Sequence, residues 1–244
     1  MRRSIKPAAQ AAGALVLALT LAATAAASGA PATHSPPSVP VHQQLAVLNH
    51  DTEAFVTARS GAASAGEVNE VRPITGERTV LPIVASKNAG GQEWLKVLLP
   101  GRPDSHTGWI EASSVSLTVT NWRIVVDLTT RKVTVYDAGH VVRTFLAVVG
   151  KPSTPTPTGT FFVEETVPLA AQIAGAPFAL ALSARSNALT SFDGGPGQVA
   201  LHGIANIGGT PGTAVSHGCV RLQTADITWL GQNISSGVPV TITN

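Results

Sequence analysis

Residues 199–222 read VALHGIANIGGTPGTAVSHGCVRL. The alternating apolar start predicts a strand over 198–201 that ends at His202-Gly203. A loop punctuated by Gly208, Gly209 and Gly212 follows. The stretch then closes on Ser216-His217-Gly218-Cys219. Cys219 is the only cysteine among 244 residues, so it has no partner for an internal disulfide. It is a buried inert residue, an intermolecular partner or a reactive thiol. A thiol attacks acyl carbons as thiolate, so its proton must go to a base or its pKa must fall. Imidazole titrates near neutrality and suits that task. His217 stands two residues before Cys219, and His202 stands at the end of the preceding strand, within reach if the glycine loop folds back. Gly218 lets backbone N–H groups approach a developing oxyanion without a Cβ in the way.

The rest of residues 121–244 reads as strands around that segment. NWRIVVDL (121–128) and KVTVY (132–136) predict a hairpin turning at Thr129-Thr130-Arg131. Further strands are expected at 140–149, 161–165, 177–182, 198–201 and 238–242. One short helix is expected over 225–232, capped by Thr224. The predicted architecture is mainly β: a mostly antiparallel sandwich or barrel with one helix over it.

Upstream, residues 45–118 form a separate block. Its apolar runs, 81–84, 94–98 and 108–110, are short and are divided by Asn88-Ala89-Gly90-Gly91 and Pro100-Gly101-Arg102-Pro103. Such spacing predicts a small β-barrel with Trp94 and Trp109 as core residues. The stretch WLKVLLPGRPDSHTGWIEASSVSL resembles bacterial SH3-like modules. Residues 28–44, rich in Pro, Ser and Ala, read as a linker, with His34 and His42 solvated in it. His50, His106 and His140 are likewise read as solvated.

Residues 1–27 read as a targeting segment. Arg2, Arg3 and Lys6 precede an apolar stretch at 11–21, and Ala25-Ala26-Ala27 suits cleavage after Ala27. Export to the periplasm or the cell wall is expected, with attachment to the membrane if the segment is retained. Removing those three cations from the 16 Lys and Arg leaves 13 against 14 Asp and Glu. No basic cluster remains elsewhere, so no nucleic-acid partner is expected.

The segment 199–222 resembles the catalytic domain of the YkuD-type L,D-transpeptidases. The family pattern is an early His-Gly, a variable loop, then Ser/Thr-His-Gly-Cys, matched here by His202-Gly203 and Ser216-His217-Gly218-Cys219. The family's Gly and Pro-Thr-Pro-x-Gly loop is matched by Gly150 and by Pro155 to Gly159, with Phe161 soon after. The likeness covers essentially all of 121–244. It implies that Cys219 is the nucleophile and His202 the general base. It implies that the backbone at His217, Gly218 and Cys219 forms the oxyanion hole, and that Ser216 and His217 shape the pocket. Arg221, where some members carry Asn, would pair with a substrate carboxylate beside Gly203. The implied substrates are peptidoglycan stem peptides: a tetrapeptide donor that loses its terminal D-alanine, and an amine acceptor. No cofactor is implied. Acylation by β-lactams, chiefly carbapenems, is expected from the same resemblance.

Several readings compete with these. Cys219 can be structural, or it can join His202 and His217 in a zinc site completed by Asp226 or Asp193. Arg221 can pair with Asp226. With water as acceptor the outcome is a carboxypeptidase, and without chemistry the chain is a wall-binding protein.

Overall fold

The computed structural model describes residues 39–191 and 194–244. The targeting segment and most of the Pro-rich linker, His34 included, lie outside the described residues. So does Asp193. Among the described residues no helix is long and apolar enough to cross a membrane.

Seven strands come first: β1 (Gln43–Leu48), β2 (Thr52–Phe55), β3 (Ser64–Val68), β4 (Val80–Ala89), β5 (Gln92–Leu98), β6 (Thr107–Glu111) and β7 (Val115–Thr120). They form one sheet in the order β3-β2-β6-β5-β4-β1-β7. The sheet reaches beyond the predicted block at both ends, because Gln43 of β1 pairs with Thr120 of β7. The expected linker therefore ends two residues early, and Gln43 and Gln44 belong to a strand. Trp94 is buried and meets Phe55 edge-on at 5.9 Å. Trp109 is only half-buried, beside Lys96, so just one of the two tryptophans is a core residue.

The second group is β8 (Trp122–Asp127), β9 (Lys132–Asp137), β10 (His140–Leu146), β11 (Val149–Gly150), β12 (Gly159–Pro168), β13 (Phe178–Arg185), β14 (Gln198–Gly203), β15 (Ala214–Ser216), β16 (Val220–Leu222), helix α1 (Thr224–Asn233) and β17 (Pro239–Thr243). Eight of these strands form a sheet in the order β10-β9-β8-β17-β12-β13-β14-β16, and β11 pairs with β15 apart from it. The fold is mainly β with one helix among the described residues, as the sequence predicts. Three pairings are parallel, however: β8 with β17, β14 with β16, and β11 with β15. Alternation of apolar residues is the same in parallel and antiparallel strands, so it does not report direction. The helix begins at Thr224 itself, with Gln223 as an N-cap lacking a side-chain bond. Thr224 is thus the first helical residue and not the cap. Ile227 and Leu230 are the helix's buried residues. Gly231 brings α1 so close to Phe178 that a Cβ there would overlap the ring.

Strand β12 of the second group supplies side chains to both cores. Phe161 and Val163 lie in the core of the second sheet, while Phe162 lies in the core of the first. Period-two alternation along one strand thus fills two cores. Beyond Phe162, the Glu164 carboxylate binds Arg72 from the first group and Arg185 from the second, the latter at 2.9 Å. The backbone and hydroxyl of Thr75 donate to Glu165 Oε2, each at 3.1 Å. The described residues form one compact unit.

Candidate active site

Strands β14 and β16 run parallel, with Leu201 opposite Val220 and His202 opposite Arg221. That register places Cys219, one residue before β16, beside the strand that carries His202. Leu201, Val220 and Leu222 are fully buried beneath them. The glycine-rich connection does fold back, and the two halves of the motif meet by strand pairing.

His202 is held by its neighbours. Its Nδ1 lies 2.8 Å from the Gly203 carbonyl oxygen, which only accepts, so Nδ1 carries the proton and Nε2 keeps its lone pair. Gly203 N–H donates to the Gly175 carbonyl at 2.7 Å. A Cβ at Gly203 would overlap the Ala176 carbonyl oxygen, and one at Gly175 would press on the imidazole at 2.6 Å. Both glycines are there for close approach. Gly175 has no counterpart in the sequence motif, because its partner lies 27 residues further on and only the tertiary structure joins them.

The turn that presents Cys219 is built on Ser216. Ser216 is fully buried; its hydroxyl donates to the Cys219 carbonyl at 2.6 Å and accepts the Gly218 N–H at 3.1 Å. Gly218 has φ 122°, a conformation that side chains other than hydrogen rarely adopt. Behind this turn stands the loop 151–158. Lys151 N–H and the Thr154 hydroxyl both donate to the Ser216 carbonyl, at 3.0 and 3.1 Å. Gly150 N–H donates to Thr156 Oγ1 at 2.9 Å, and a Cβ at Gly150 would strike the Thr156 backbone. The proline-threonine stretch is therefore a rigid post under the thiol turn. Its two buried threonines supply the bonds.

Arg221 is buried, with Nη1 donating to the Gly208 carbonyl at 3.3 Å. Among the described residues it makes no ion pair with Asp226, whose carboxyl is raised by burial and lowered in turn by Arg143. Arg221 instead acts electrostatically on the Cys219 thiol and the His202 imidazole. Burial pushes the Cys219 thiol up, while a backbone hydrogen bond at Ala200 and the Arg221 charge pull it back. Burial pushes the His202 imidazole down; the Gly203 bond opposes this and the Arg221 charge adds to it. Both shifts favour the uncharged forms of the thiol and the imidazole. Among the described residues no group of three or more His, Cys, Asp or Glu is placed to hold a metal.

A cavity of ≈ 30 Å³ opens beside Cys219, lined by Ser186, Leu189, Gly197, Gln198, Val199 and His217. That is room for about one water molecule. A larger cleft of ≈ 580 Å³ lies away from the thiol, along Leu45, Thr120, Trp122 and Asp137. It contains neither the cysteine nor a histidine, so the chemistry points to the smaller one.

Residues 121–242 match the YkuD family, described as the L,D-transpeptidase catalytic domain. Over 125 residues the chain is 31% identical to a putative L,D-transpeptidase YkuD of Bacillus licheniformis, covering 50% of this chain and 66% of that protein. Over 130 residues it is 30% identical to L,D-transpeptidase 1 of Mycobacterium tuberculosis, covering 48% of this chain and 49% of that protein. The aligned stretches thus span less than two thirds of either relative. Among solved structures, L,D-transpeptidase 3 from Mycobacterium tuberculosis in complex with a faropenem-derived adduct is similar at 16% identity and TM-score 0.44. That match covers 68% of this chain and 91% of the other. The family match takes in half of the chain, and the chain belongs to the YkuD family of L,D-transpeptidase catalytic domains.

Proposed function

We propose that this family member is an acyltransferase that cross-links peptidoglycan stem peptides through a thioester on Cys219. The observation that supports the reading is the β14–β16 pairing, which brings the backbone segments that carry Cys219 and His202 alongside each other, with the His202 tautomer leaving Nε2 basic.

His202 Nε2 takes the Cys219 proton as Sγ attacks the carbonyl of the third stem residue. The tetrahedral oxyanion is met by the backbone amide of Cys219 at the turn, while the Gly218 amide stays on Ser216. The carbon–nitrogen bond to the terminal D-alanine then breaks. The departing nitrogen takes the proton from His202, and a thioester remains. A side-chain amine from a second stem gives a proton to His202 and attacks the thioester. The new amide forms, and Sγ leaves and recovers the proton. No cofactor enters these steps. Arg221 lowers the cost of the thiolate and, through Gly208, steadies the loop that faces the incoming amine. His217 borders the cavity and shapes it. Gly203 orients the base.

The substrate lies outside the cytoplasm, which fits the export expected from residues 1–27, and the first sheet serves as an SH3-like accessory module. A carbapenem would acylate Cys219 by the same attack on a strained carbonyl.

Incubation of the protein with a purified tetrapeptide-stem muropeptide, followed by mass analysis, tests this. The expected product is a dimer lighter by one D-alanine, absent with Cys219→Ala. A shortened monomer without dimer would reassign the chain as a carboxypeptidase. Product formation by Cys219→Ala would remove the nucleophile assignment.

A further inference from the structure

A side chain from the loop between β5 and β6 reaches the wall of the Cys219 cavity. Ser186 follows β13 and Gly197 precedes β14, and both border the cavity. Ser186 N–H donates to the Gly197 carbonyl at 2.8 Å, which closes the neck between the two strands. The neck is tight: a Cβ at Gly197, where φ is 70°, would overlap the Leu189 carbonyl oxygen, and Leu189 N–H donates to Ser186 Oγ at 3.0 Å. Arg102 reaches across from the loop between β5 and β6. Its Nη2 donates to the Ser186 carbonyl at 2.6 Å and its Nη1 to the Pro196 carbonyl at 2.9 Å. One planar guanidinium thus spans both sides of the neck. The same loop grips the end of β13 twice more: Gly101 N–H donates to Ser183 O at 3.1 Å, and Asp104 Oδ1 accepts Arg185 N–H at 2.8 Å.

We propose that Arg102 is a positioning residue for the active site, a clamp from the first sheet that sets the cavity wall against which the donor stem lies beside Cys219. The proposal deepens the transpeptidase reading and, for its effect on turnover, rests on it. The geometry gives the accessory module a defined contribution to catalysis: it supplies a residue that shapes the donor side without touching the reacting atoms. Charge-assisted bonds from a fork to two carbonyls are directional, so loss of the fork lets Ser186 and Pro196 separate. The thiol cavity then becomes easier to enter and less able to hold a stem in one pose.

The test compares wild type with Arg102→Ala, Arg102→Lys and Thr75→Ala. The last removes a bond between the same two sheets, at Glu165, that does not border the cavity. Three readouts are taken: amide exchange at Ser186 and Leu189, alkylation of the single cysteine by iodoacetamide, and steady-state turnover of the tetrapeptide-stem muropeptide. Arg102→Ala is expected to raise exchange at Ser186 and Leu189 and to speed alkylation several-fold. It is expected to raise KM about tenfold, the scale of a lost charge-assisted bond, with kcat changed about twofold at most. Arg102→Lys, which keeps the charge but not the fork, is expected to fall between the two. Thr75→Ala is expected to leave exchange, alkylation and KM as in wild type. Unchanged exchange and alkylation in Arg102→Ala would overturn the clamp, and so would full rescue by lysine or an equal effect of Thr75→Ala. Altered exchange and alkylation in a protein whose wild type shows no stem turnover would uphold the clamp and overturn the transpeptidase reading instead.

Discussion

His202 and Cys219 are both shifted toward their neutral forms, and this sets how the site responds to pH. The imidazole is held below its ordinary value near 6.5 by burial. The base therefore stays unprotonated on mild acidification, and kcat/KM is expected to fall only well below pH 6.5. The same shift acts on stability. The unfolded chain binds a proton at His202 before the folded one does, so this group's contribution is complete above pH 6.5 and is lost as pH falls toward the lowered folded value. A pH–rate profile with an acid limb at or above pH 6.5 would contradict the downward shift that burial imposes on His202. His202→Ala is expected to lower kcat by about 10²–10⁴-fold, the usual worth of a positioned general base. The thiol, raised by burial, is expected to alkylate more slowly at pH 7 than a free cysteine and to quicken as pH rises.

At the scale of elements, β12 and the loop before it matter most. The loop 151–158 is short and proline-rich, so it is rigid before it bonds, and Thr154 and Thr156 then fix Ser216 and Gly150. Strand β12 carries Glu164, which is fully buried between Arg72 and Arg185. Burial pushes the Glu164 carboxyl up, and the guanidiniums of Arg185 and Arg72 pull it back down. Removing the carboxylate leaves two nearly buried cations facing each other. Glu164→Ala is therefore expected to destabilise the protein by about 3–5 kcal/mol in denaturant unfolding. A loss under about 1 kcal/mol would mean that the pair is hydrated and contributes as a surface bridge does.

For the whole molecule, one strand of the second sheet contributes to both cores. Phe162 fills the first core from β12 while Phe161 fills the second. The cores are expected to melt together, in one transition with coincident tryptophan fluorescence and far-ultraviolet circular dichroism. Two resolved transitions would show that the sheets are independent. Phe162→Ala is expected to cost about 3–5 kcal/mol, as for other buried aromatics truncated to alanine. It should uncouple the sheets as well, because it empties the first core of its contribution from the second.

What the sequence determined by itself was local. The strand spacing and the helix near 225–232 were legible because each depends on residues a few positions apart. The same holds for the His202-Gly203 dipeptide, which is local by nature. Strand direction, the role of Gly175 behind the imidazole, the Glu164 cluster and the reach of Arg102 were not legible. Each joins residues far apart in the chain (Arg102 and Ser186 are 84 positions apart). No local propensity or periodicity records such a contact. Only the packing of the two sheets against each other brings those groups together, and the tertiary structure alone decided that arrangement.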